Sequence, residues 1–506
     1  MDKRTKIVAT IGPASESRET LKKMMEAGMN VARINFSHGT HKSNGKVIDT
    51  LKELRVELDM SLGIMADLQG PRIRTMVESD IEIGKGEIIK IVDSALALKS
   101  KFQNPKSQIN PPPKADQPMA EKTQNPKFKT GSKIVGLDVA GIIEDIEIGN
   151  DILIQDGLMK VKVVEKYEEY LLAEVIEGGV IKNHKGVNIP DAKLKIPAVT
   201  EKDMDDLKFA LEKDVDFVAL SFVSTAEEIK ETREKIKKML GREDDLPGIV
   251  AKIERKEAIK NIDEIIAETD VIMVARGDLG IEMDESKVVI YQKEIIGKCL
   301  RAARPVIVAT QMLESMIENP LPTRAEVSDV SNAVIDHTDA VMLSGESANG
   351  KFPLKAVETM AKIISDVEES RFDDCVPAHI EIEDHLSSDY ASIITSGIKL
   401  AKTSEARAVL AITQFGFTAR ALSNFRPSFQ IIVAACGQKI YHQLSMVWGV
   451  EAYSFDKVDD LDRYLDLLIE RAKENGKLQL GDKVVEVLGR MPGGEKMRLV
   501  GIKEIT

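Results

Sequence analysis

Cysteine is scarce in this chain, with three residues in 506: Cys299, Cys375 and Cys436. Their spacing shows no pairs, so the sequence excludes a disulfide framework and a zinc ribbon. No apolar run approaches the roughly 20 residues that a membrane-spanning helix needs. The N-terminal apolar run is also too short for the core of a signal peptide. We therefore expect a cytoplasmic protein with no membrane partner.

Positive charge is also in deficit, because 70 Lys and Arg residues face 83 Asp and Glu residues, a net charge of -13. Such a balance argues against nucleic acid as a partner. A chain of 506 residues is too long for one hydrophobic core and indicates about three domains.

Short apolar runs that end in polar residues alternate with amphipathic stretches at helical spacing. Strand alternating with helix predicts a parallel sheet, and eight such units close a (β/α)8 TIM barrel. The predicted strands are Lys6–Ile11, Val31–Phe36, Gly63–Asp67, Ala219–Phe222, Ile249–Glu254, Ile272–Asp278, Val306–Gln311 and Ala340–Glu346. The predicted helices include Ser17–Glu26, Lys42–Leu58, Thr225–Leu240, Lys256–Glu268, Lys287–Ala303 and Leu354–Glu369.

Charged and hydroxyl side chains gather at the carboxyl ends of these strands. Alternation places Lys252 and Glu254 on the same side of one strand, either as a buried salt bridge or as working groups. Two carboxylates, Glu254 and Asp278, suit Mg2+, and the cations Arg33 and Lys252 suit a phosphoryl group. The Gly-containing run at 275–280 adds backbone amides at a predicted helix start. Together these features predict a phosphoryl-transfer site.

Seven motifs in order resemble signatures of pyruvate kinase, from Arg4 to about Glu369. They are RTKIVATIGPAS at 4–15, NVARINFSHG at 30–39, IVAKIERKEAI at 249–259, VARGDLGIE at 274–282, ATQMLESM at 309–316, PTRAEVSDVSNAV at 322–334 and MLSGESANGKFP at 342–353.

The resemblance implies phosphoryl transfer from phosphoenolpyruvate to ADP, the last step of glycolysis, in a homotetramer. It implies that Glu254 and Asp278 bind Mg2+, with Mn2+ as a substitute, and that Lys252 stabilises the phosphoryl group in flight. Arg33 would contact the same group, and Gly277, Asp278 and Thr310 would bind the substrate carboxylate. The enolate would be protonated through water near Thr310 and Ser344. Nucleotide contacts would fall on Asn35, His38, Arg74 and Lys185.

Other interpretations remain open at this stage. The hydroxyls of Thr310 and Ser344 are also typical of helix N-caps. A second enzyme class is another Mg2+-dependent enolpyruvate-type barrel, an aldolase or a mutase. A binding protein that has lost turnover would lack a catalytic residue, and none of the expected ones is missing.

A departure from the commonest family pattern concerns potassium. Many members have a Glu in a DTKGPE run, together with a potassium ion near the positions of Asn35, Ser37, Asp67 and Leu68. Here the run is DLQGPR, and Arg72 stands where the Glu would be. A fixed guanidinium can supply the charge of a monovalent ion, and two cations there would repel. We therefore expect weak or absent dependence on potassium.

The segment from about Met76 to Pro190 changes to alternating and apolar runs with Gly turns, which predicts an inserted all-β domain. In the resembled family this domain is a lid. Inside it, about 99–130 is rich in Lys and Pro and is typical of a disordered loop. It is either a tolerated surface insertion or a basic tether. The predicted domains are 1–75 and 191–370 for the barrel, 76–190 for the lid and 371–506 for a C-terminal α/β domain.

That C-terminal domain resembles the family's regulatory domain. Its effector-loop motif is TQFGFT, with Thr413, Gly416 and Thr418, and Phe415 replaces the usual hydroxyl residue. The terminal Gly-rich loop is represented only by LGRMPGG at 488–494. These departures argue against regulation by fructose 1,6-bisphosphate and leave open a different phosphorylated effector, or none.

Overall fold

Alternating strands and helices occupy most of the computed structural model, which describes residues 3–94, 133–192, 194, 199–370, 372, 388–455, 461–488 and 499–506. The Lys- and Pro-rich insertion at about 99–130 and the Gly-rich run at 489–494 therefore lie outside the described residues.

The elements are numbered here in chain order. The strands are β1 Lys6–Ile11, β2 Val31–Asn35, β3 Gly63–Asp67, β4 Ile73–Met76, β5 Ile81–Ile83, β6 Ile88–Val92, β7 Ile134–Leu137, β8 Asp151–Ile154, β9 Met159–Lys166, β10 Tyr170–Glu177, β11 Gly179–Ile181, β12 Gly186–Asn188, β13 Phe217–Leu220, β14 Gly248–Ile253, β15 Val271–Ala275, β16 Val306–Ala309, β17 Ala340–Leu343, β18 Ala408–Thr413, β19 Gln430–Ala435, β20 Val450–Ser454, β21 Lys483–Leu488 and β22 Leu499–Glu504. The helices are α1 Arg18–Glu26, α2 His41–Glu57, α3 Ile142–Asp145, α4 Glu201–Glu212, α5 Ala226–Leu240, α6 Lys256–Lys260, α7 Ile262–Glu268, α8 Arg276–Glu282, α9 Glu285–Arg301, α10 Arg324–Ile335, α11 Gly345–Ala348, α12 Pro353–Glu368, α13 Ser388–Thr403, α14 Phe417–Ser423, α15 Gln438–Gln443 and α16 Leu461–Glu474, with 3-10 turns at Glu314–Ile317 and Leu444–Met446.

Eight parallel strands close into a barrel in the order β1-β17-β16-β15-β14-β13-β3-β2. Most of these strands are buried along their whole length, as expected where helices cover the outside of a parallel sheet. The predicted (β/α)8 barrel is confirmed. Parallel order also brings the carboxyl ends of all eight strands to one face, where barrel active sites lie.

Several predicted element ends are wrong. The strand expected to run to Asp278 ends at Ala275, and Arg276 begins α8, so Asp278 lies in the first turn of a helix. The helix expected over Lys256–Glu268 is two helices that meet at Asn261. The barrel also contains α4 and α10, each begun by a Thr capping box.

The described chain divides into two compact units, of which one is Pro71–Pro197 with Ile281–Met283. In this inserted unit, seven strands close into a barrel in the order β10-β6-β7-β4-β12-β8-β9, and β5 pairs with β11. Its core is rich in Ile and Val, which suit a pleated, half-buried surface. The predicted all-β insertion is confirmed.

The other unit holds both the (β/α)8 barrel and the C-terminal sheet. The sheet has the order β20-β19-β18-β21-β22, and only its β21–β22 pairing is antiparallel. Arg426 joins the sheet region to the barrel through a buried ion pair with Asp339 at 2.9 Å. The backbone N–H of Trp448, the chain's one tryptophan, donates to the same carboxylate at 3.2 Å. The predicted C-terminal α/β fold is confirmed.

Among the helices that the structure describes, none combines the length and apolar character needed to cross a membrane.

Candidate active site

A buried network of charges lies at the carboxyl ends of β2, β3 and β14. Arg33 donates from Nε to Asp67 Oδ2 at 2.6 Å and from Nη1 to Thr10 Oγ1 at 2.9 Å. Asp67 Oδ1 lies 3.4 Å from Lys252 Nζ. Lys252 also contacts Glu254 Oε1 at 2.8 Å. Two cations and two carboxylates therefore share one water-poor space.

The network forms because its side chains lie at or just beyond the ends of neighbouring strands. Alternation carries Lys252 and Glu254, two residues further on, to the same side, and Ser221 follows directly after the last residue of β13. Lys252 Nζ donates to Ser221 Oγ at 2.7 Å, and Ser221 in turn donates to the Leu68 carbonyl at 2.9 Å. The sequence interpretation missed Ser221, although its place directly after an apolar run is the signal that identified the other residues.

The resemblance implies that Lys252 binds the phosphoryl group and Glu254 binds the metal. In the structure these two side chains contact each other directly. Glu254 Oε1 binds Lys252, and Glu254 Oε2 accepts the backbone N–H of Phe222 at 2.7 Å. Phe222 has a φ of 58°, an uncommon conformation for a bulky residue. The structure therefore contains the ion pair that was weighed as the alternative.

Burial and charge act against each other on these groups. Burial raises the pKa of Asp67, but Lys252 and Arg33 more than offset burial, so this pKa lies below its ordinary value. Burial lowers the pKa of Lys252, but Asp67 and Glu254 outweigh it, so the ammonium is favoured. The pKa of Glu254 is raised by burial, against Lys252, and the nearby Asp278 raises it further.

Glu254 and Asp278 are the residues that the sequence predicts as magnesium ligands. The charge of Asp278 raises the pKa of Glu254, and a divalent cation bound by both carboxylates would relieve their repulsion. Within the described ranges, no group of three or more His, Cys, Asp or Glu could hold a metal. A two-carboxylate set agrees with Mg2+, which binds through one or two carboxylates and keeps water and substrate phosphate oxygens as its other ligands.

Thr310 lies in an unusual turn directly after β16. Thr310 and Gln311 have φ values of 68° and 54°, two consecutive non-Gly residues in the left-handed region. Thr310 Oγ1 accepts the Gly277 N–H at 2.7 Å and donates to the Ala309 carbonyl at 2.6 Å. This side chain and the first turn of α8 therefore meet, but the Gly277 amide already has a partner.

Arg276 holds this turn, and the sequence interpretation missed it. Its Nη2 donates to the Thr310 carbonyl at 2.7 Å, and its Nη1 donates to Asp329 Oδ1 at 2.9 Å. Asp329 Oδ2 lies 2.8 Å from Nη2, so the pair is bidentate. A bidentate Arg–carboxylate pair fixes the guanidinium in orientation as well as in place.

Ser344 occupies the N-cap position of α11 but makes no side-chain capping bond there. Its backbone N–H donates to Glu346 at 2.7 Å. Ser344 lines a cavity of about 610 Å3 together with Arg33, Asn35 and His38. The cavity therefore joins predicted catalytic and nucleotide-contacting residues of the barrel.

Arg74 and Lys185 come together in the inserted unit. Arg74 on β4 pairs with Gly186 on β12, and Lys185 is the residue before Gly186. Lys185 also donates its backbone N–H to Thr75 Oγ1 at 3.0 Å. Arg72 is exposed and belongs to this unit too.

The predicted monovalent-cation residues lie around the ends of β2 and β3. Asn35 Oδ1 accepts the Ser37 N–H at 3.0 Å. The Leu68 carbonyl accepts from Ser221, and Asp67 Oδ1 is buried without a hydrogen-bond partner among the described residues. The Arg33 and Lys252 contacts already bring two positive charges to Asp67.

The predicted effector loop follows β18. Gly416 has a φ of 75° and precedes α14. Tyr390 donates its hydroxyl to Thr418 Oγ1 at 2.6 Å, and both Thr413 and Thr418 are buried. Two of the three predicted loop residues therefore face the protein interior.

Comparisons with known proteins match pyruvate kinases over nearly the whole chain. The model of the pyruvate kinase barrel domain matches residues 2–110 and 101–357, and that of the pyruvate kinase alpha/beta domain matches 391–498. A pyruvate kinase of Clostridium perfringens is 38% identical over 504 residues, covering 98% of both chains. A pyruvate kinase of Geobacillus stearothermophilus is 38% identical over 505 residues, which is 98% of this chain and 79% of that one. A solved pyruvate kinase of Cryptosporidium parvum is 32% identical with a TM-score of 0.86, covering 100% of this chain and 97% of that one.

Proposed function

This chain belongs to the pyruvate kinase family, and we propose that it transfers the phosphoryl group of phosphoenolpyruvate to ADP at the buried network around Lys252. It is a phosphotransferase, and no comparison favours an aldolase or a mutase. The observation that supports this location is Lys252, which three oxygen-bearing side chains hold at 2.7, 2.8 and 3.4 Å.

Lys252 acts as a fixed positive charge. Phosphoryl transfer spreads negative charge over the oxygens of the migrating group, so it needs positioning and electrostatic stabilisation more than a nucleophile. Ser221, Glu254 and Asp67 preorganise the ammonium, so no reorganisation is needed as that charge develops. Arg33, which Asp67 and Thr10 hold, contacts the same phosphoryl group.

Glu254 and Asp278 are the residues that would hold Mg2+, with Mn2+ as a substitute. When bound, the ion supplies Lewis-acid stabilisation of negative charge on substrate oxygens. The carboxylates themselves orient the surrounding cations, because Glu254 binds Lys252 directly.

Thr310 and Ser344 complete the barrel side of the site. The hydroxyl of Thr310 and the first turn of α8 receive the substrate carboxylate, which requires the Gly277 amide to exchange its Thr310 partner for the ligand. Water near Thr310 and Ser344 protonates the enolate, and the absence of a capping bond leaves the Ser344 hydroxyl in the cavity wall for this role.

The cavity of about 610 Å3 is assigned to the nucleotide. Its volume lies in the range of small-molecule sites, and Asn35 and His38 line it beside Arg33. Arg74 and Lys185 of the inserted unit supply positive charge to the nucleotide phosphates. In the resembled family the corresponding domain excludes water from the reacting phosphoryl group, and we assign the same role to the insertion predicted at about 76–190.

Further properties belong to this proposal. The enzyme works in the cytoplasm in glycolysis and assembles as a homotetramer. It depends weakly or not at all on potassium, because Arg72 takes the place of a Glu. The sequence pattern places the barrel at 1–75 and 191–370, although β4, which carries Arg74, groups with the inserted unit. Residues 371–506 form a regulatory-type domain whose effector, if it has one, is not fructose 1,6-bisphosphate.

The purified full-length chain should form pyruvate from phosphoenolpyruvate when ADP and Mg2+ are present. Coupling to lactate dehydrogenase reads pyruvate formation directly through NADH oxidation. Reactions that lack ADP or Mg2+ serve as controls and should show no NADH oxidation. Failure to form pyruvate under these conditions would refute the proposed function.

A further inference from the structure

A strongly basic cavity of about 310 Å3 lies at the junction of the barrel and the C-terminal sheet. Lys3, Arg4, Lys6, Arg407 and Lys477 line it, and Glu451 is the lining residue with a carboxylate. The excess of positive charge is unusual for a chain whose net charge is -13.

The cavity is remote from both sites discussed above. Lys6 begins β1, whereas Thr10, the partner of Arg33, lies toward the other end of that strand. Arg407 precedes β18, whereas Thr413 ends it. The basic cavity therefore lies at the amino-terminal ends of these strands, opposite the catalytic network and the effector loop.

Neutral oxygens, rather than carboxylates, orient the two inner lysines. Lys6 is 7% exposed, and its Nζ donates to the Val450 carbonyl at 2.9 Å. Lys3 donates to the Thr5 carbonyl at 3.3 Å and to the side chain of Asn30. Carbonyl and amide oxygens hold each amine in place without supplying a negative charge. Burial lowers the pKa of both Lys3 and Lys6, so an anion that enters the cavity would favour their charged forms.

The carboxylate of Glu368 binds backbone N–H groups beside the cavity. Glu368 accepts the N–H groups of Arg4 at 2.7 Å and Thr5 at 2.6 Å. Burial, followed by repulsion from Lys6, lowers the pKa of Lys3 to about 7, although Glu368 acts in the opposite direction. Glu451 and Glu368 likewise act against burial at Lys6, but the pKa of Lys6 is still lowered, so the local acids offset burial only in part.

A polar group suited to a hydroxyl also lines the cavity. Gln430 Oε1 is buried and has no hydrogen-bond partner among the residues that the structure describes. A buried acceptor without a donor is unfavourable, and a ligand hydroxyl would supply that donor. Lysines and arginines recognise phosphate by charge and by bidentate hydrogen bonds.

We propose that this cavity binds a small hydroxylated phosphate ester, which contacts the barrel through Lys3 and Lys6 and the C-terminal sheet region through Arg407 and Lys477. The volume of about 310 Å3 limits the ligand to the size of a short phosphorylated polyol. This inference does not depend on the proposed catalytic function, because binding is measured without turnover.

Glycerol 3-phosphate is the probe, and isothermal titration calorimetry measures its binding to the full-length chain. We expect saturable binding, about tenfold weaker in the double variant Arg407→Gln, Lys477→Gln and unchanged in Lys483→Gln. Lys483 is an exposed lysine on the adjacent β21, so it is a matched control for the loss of charge. If the double variant fails to fold by circular dichroism, Arg407→Gln alone should weaken binding about threefold.

Three results would overturn the proposal. The first is no saturable binding of glycerol 3-phosphate to the unmodified chain at millimolar concentration. The second is equal affinity in the Arg407 variants and in Lys483→Gln, which would locate binding elsewhere. The third is equal affinity for citrate or for glycerol, because a phosphate-ester site must prefer the molecule that combines a phosphate with hydroxyls.

Discussion

Lys252 is a buried ammonium whose three side-chain partners differ in charge. Ser221 is neutral, whereas Asp67 and Glu254 raise the pKa of Lys252 against the effect of burial. A lysine in this setting stays protonated and immobile. Its role is therefore electrostatic, and no proton transfer needs to be assigned to it.

Replacing Lys252 with Met should reduce kcat for pyruvate formation by about 10²–10³-fold, because the methionine has similar length and no charge. Mg2+ binding, followed by calorimetry, should change little because Glu254 and Asp278 remain. Lys260→Met, an exposed lysine on the following helix, is the control and should behave as the unmodified enzyme. Turnover within a few-fold of normal in Lys252→Met would contradict the assigned role.

Glu254→Ala should separate metal binding from charge stabilisation. Removal of one carboxylate of the proposed pair should raise the Mg2+ concentration for half-maximal turnover at least about tenfold. A titration of activity against Mg2+, with direct measurement of metal affinity, tests this expectation. The neighbouring exposed Glu257→Ala controls for loss of a negative charge. An unchanged Mg2+ requirement would show that Glu254 serves only its ion pair with Lys252.

At the scale of single elements, the turn after β16 depends on the first residue of α8. Residues in sparsely populated backbone regions cost about 1–3 kcal/mol each and persist where their surroundings hold them. Here Arg276 binds the carbonyl of Thr310 and is itself held by Asp329. Arg276 is therefore a positioning residue for Thr310.

Arg276→Lys should lower kcat/KM for phosphoenolpyruvate about tenfold, since a point charge cannot reproduce the planar, bidentate contacts. The split between kcat and KM distinguishes positioning from general destabilisation, and circular dichroism checks the fold. Arg301→Lys, an exposed arginine that ends α9, is the matched control. Unchanged kinetics in Arg276→Lys would remove the link between this pair and Thr310.

The short helix α15 carries a histidine that should make stability depend on pH. Burial, followed by Arg55, Lys439 and Lys52, lowers the pKa of His442 to about 3. The unfolded chain binds the proton near pH 6.5, so protonation favours unfolding and stability falls as pH drops below about 6.5.

Chemical denaturation between pH 7 and pH 5 tests this expectation. The unfolding free energy should fall with a slope of up to about 1.4 kcal/mol per pH unit from this one proton. In His442→Gln the slope of unfolding free energy against pH should be smaller by the contribution of this one proton. The difference between the two proteins therefore separates His442 from the other histidines. Equal slopes in the two proteins would show that His442 is not the titrating group.

At the scale of the whole molecule, the alternation of strand and helix was enough to predict the barrel, the β-rich insertion and the C-terminal α/β fold. Residue periodicity reports which face is buried, and eight parallel units have few ways to close. Specific side-chain contacts between elements could not be predicted from the sequence. Periodicity does not encode side-chain geometry. It therefore did not predict the ion pair of Lys252 with Glu254 or the hydrogen bond from Arg276 to the Thr310 carbonyl.

The charge of Arg72 should decide how the enzyme responds to monovalent cations. Activity should be nearly equal in sodium, potassium and tetramethylammonium buffers, because a fixed guanidinium replaces the ion. Arg72→Glu should create a saturable activation by potassium, and Lys85→Glu, an exposed lysine of the same unit, should not. Strong potassium activation of the unmodified enzyme would contradict this prediction.

The single tryptophan, Trp448, lies at the junction of the barrel and the C-terminal sheet, so its fluorescence reports on that junction. Trp448 is buried, with the guanidinium carbons of Arg426 and Arg4 at 5.0 and 5.4 Å from its ring centroid. Indole emission shifts with solvent exposure and nearby charge, and no other residue of this chain contributes to it. Tryptophan fluorescence alone should therefore follow the separation of the sheet from the barrel. Because Arg4 also lines the basic cavity, the same signal should respond when an anion enters.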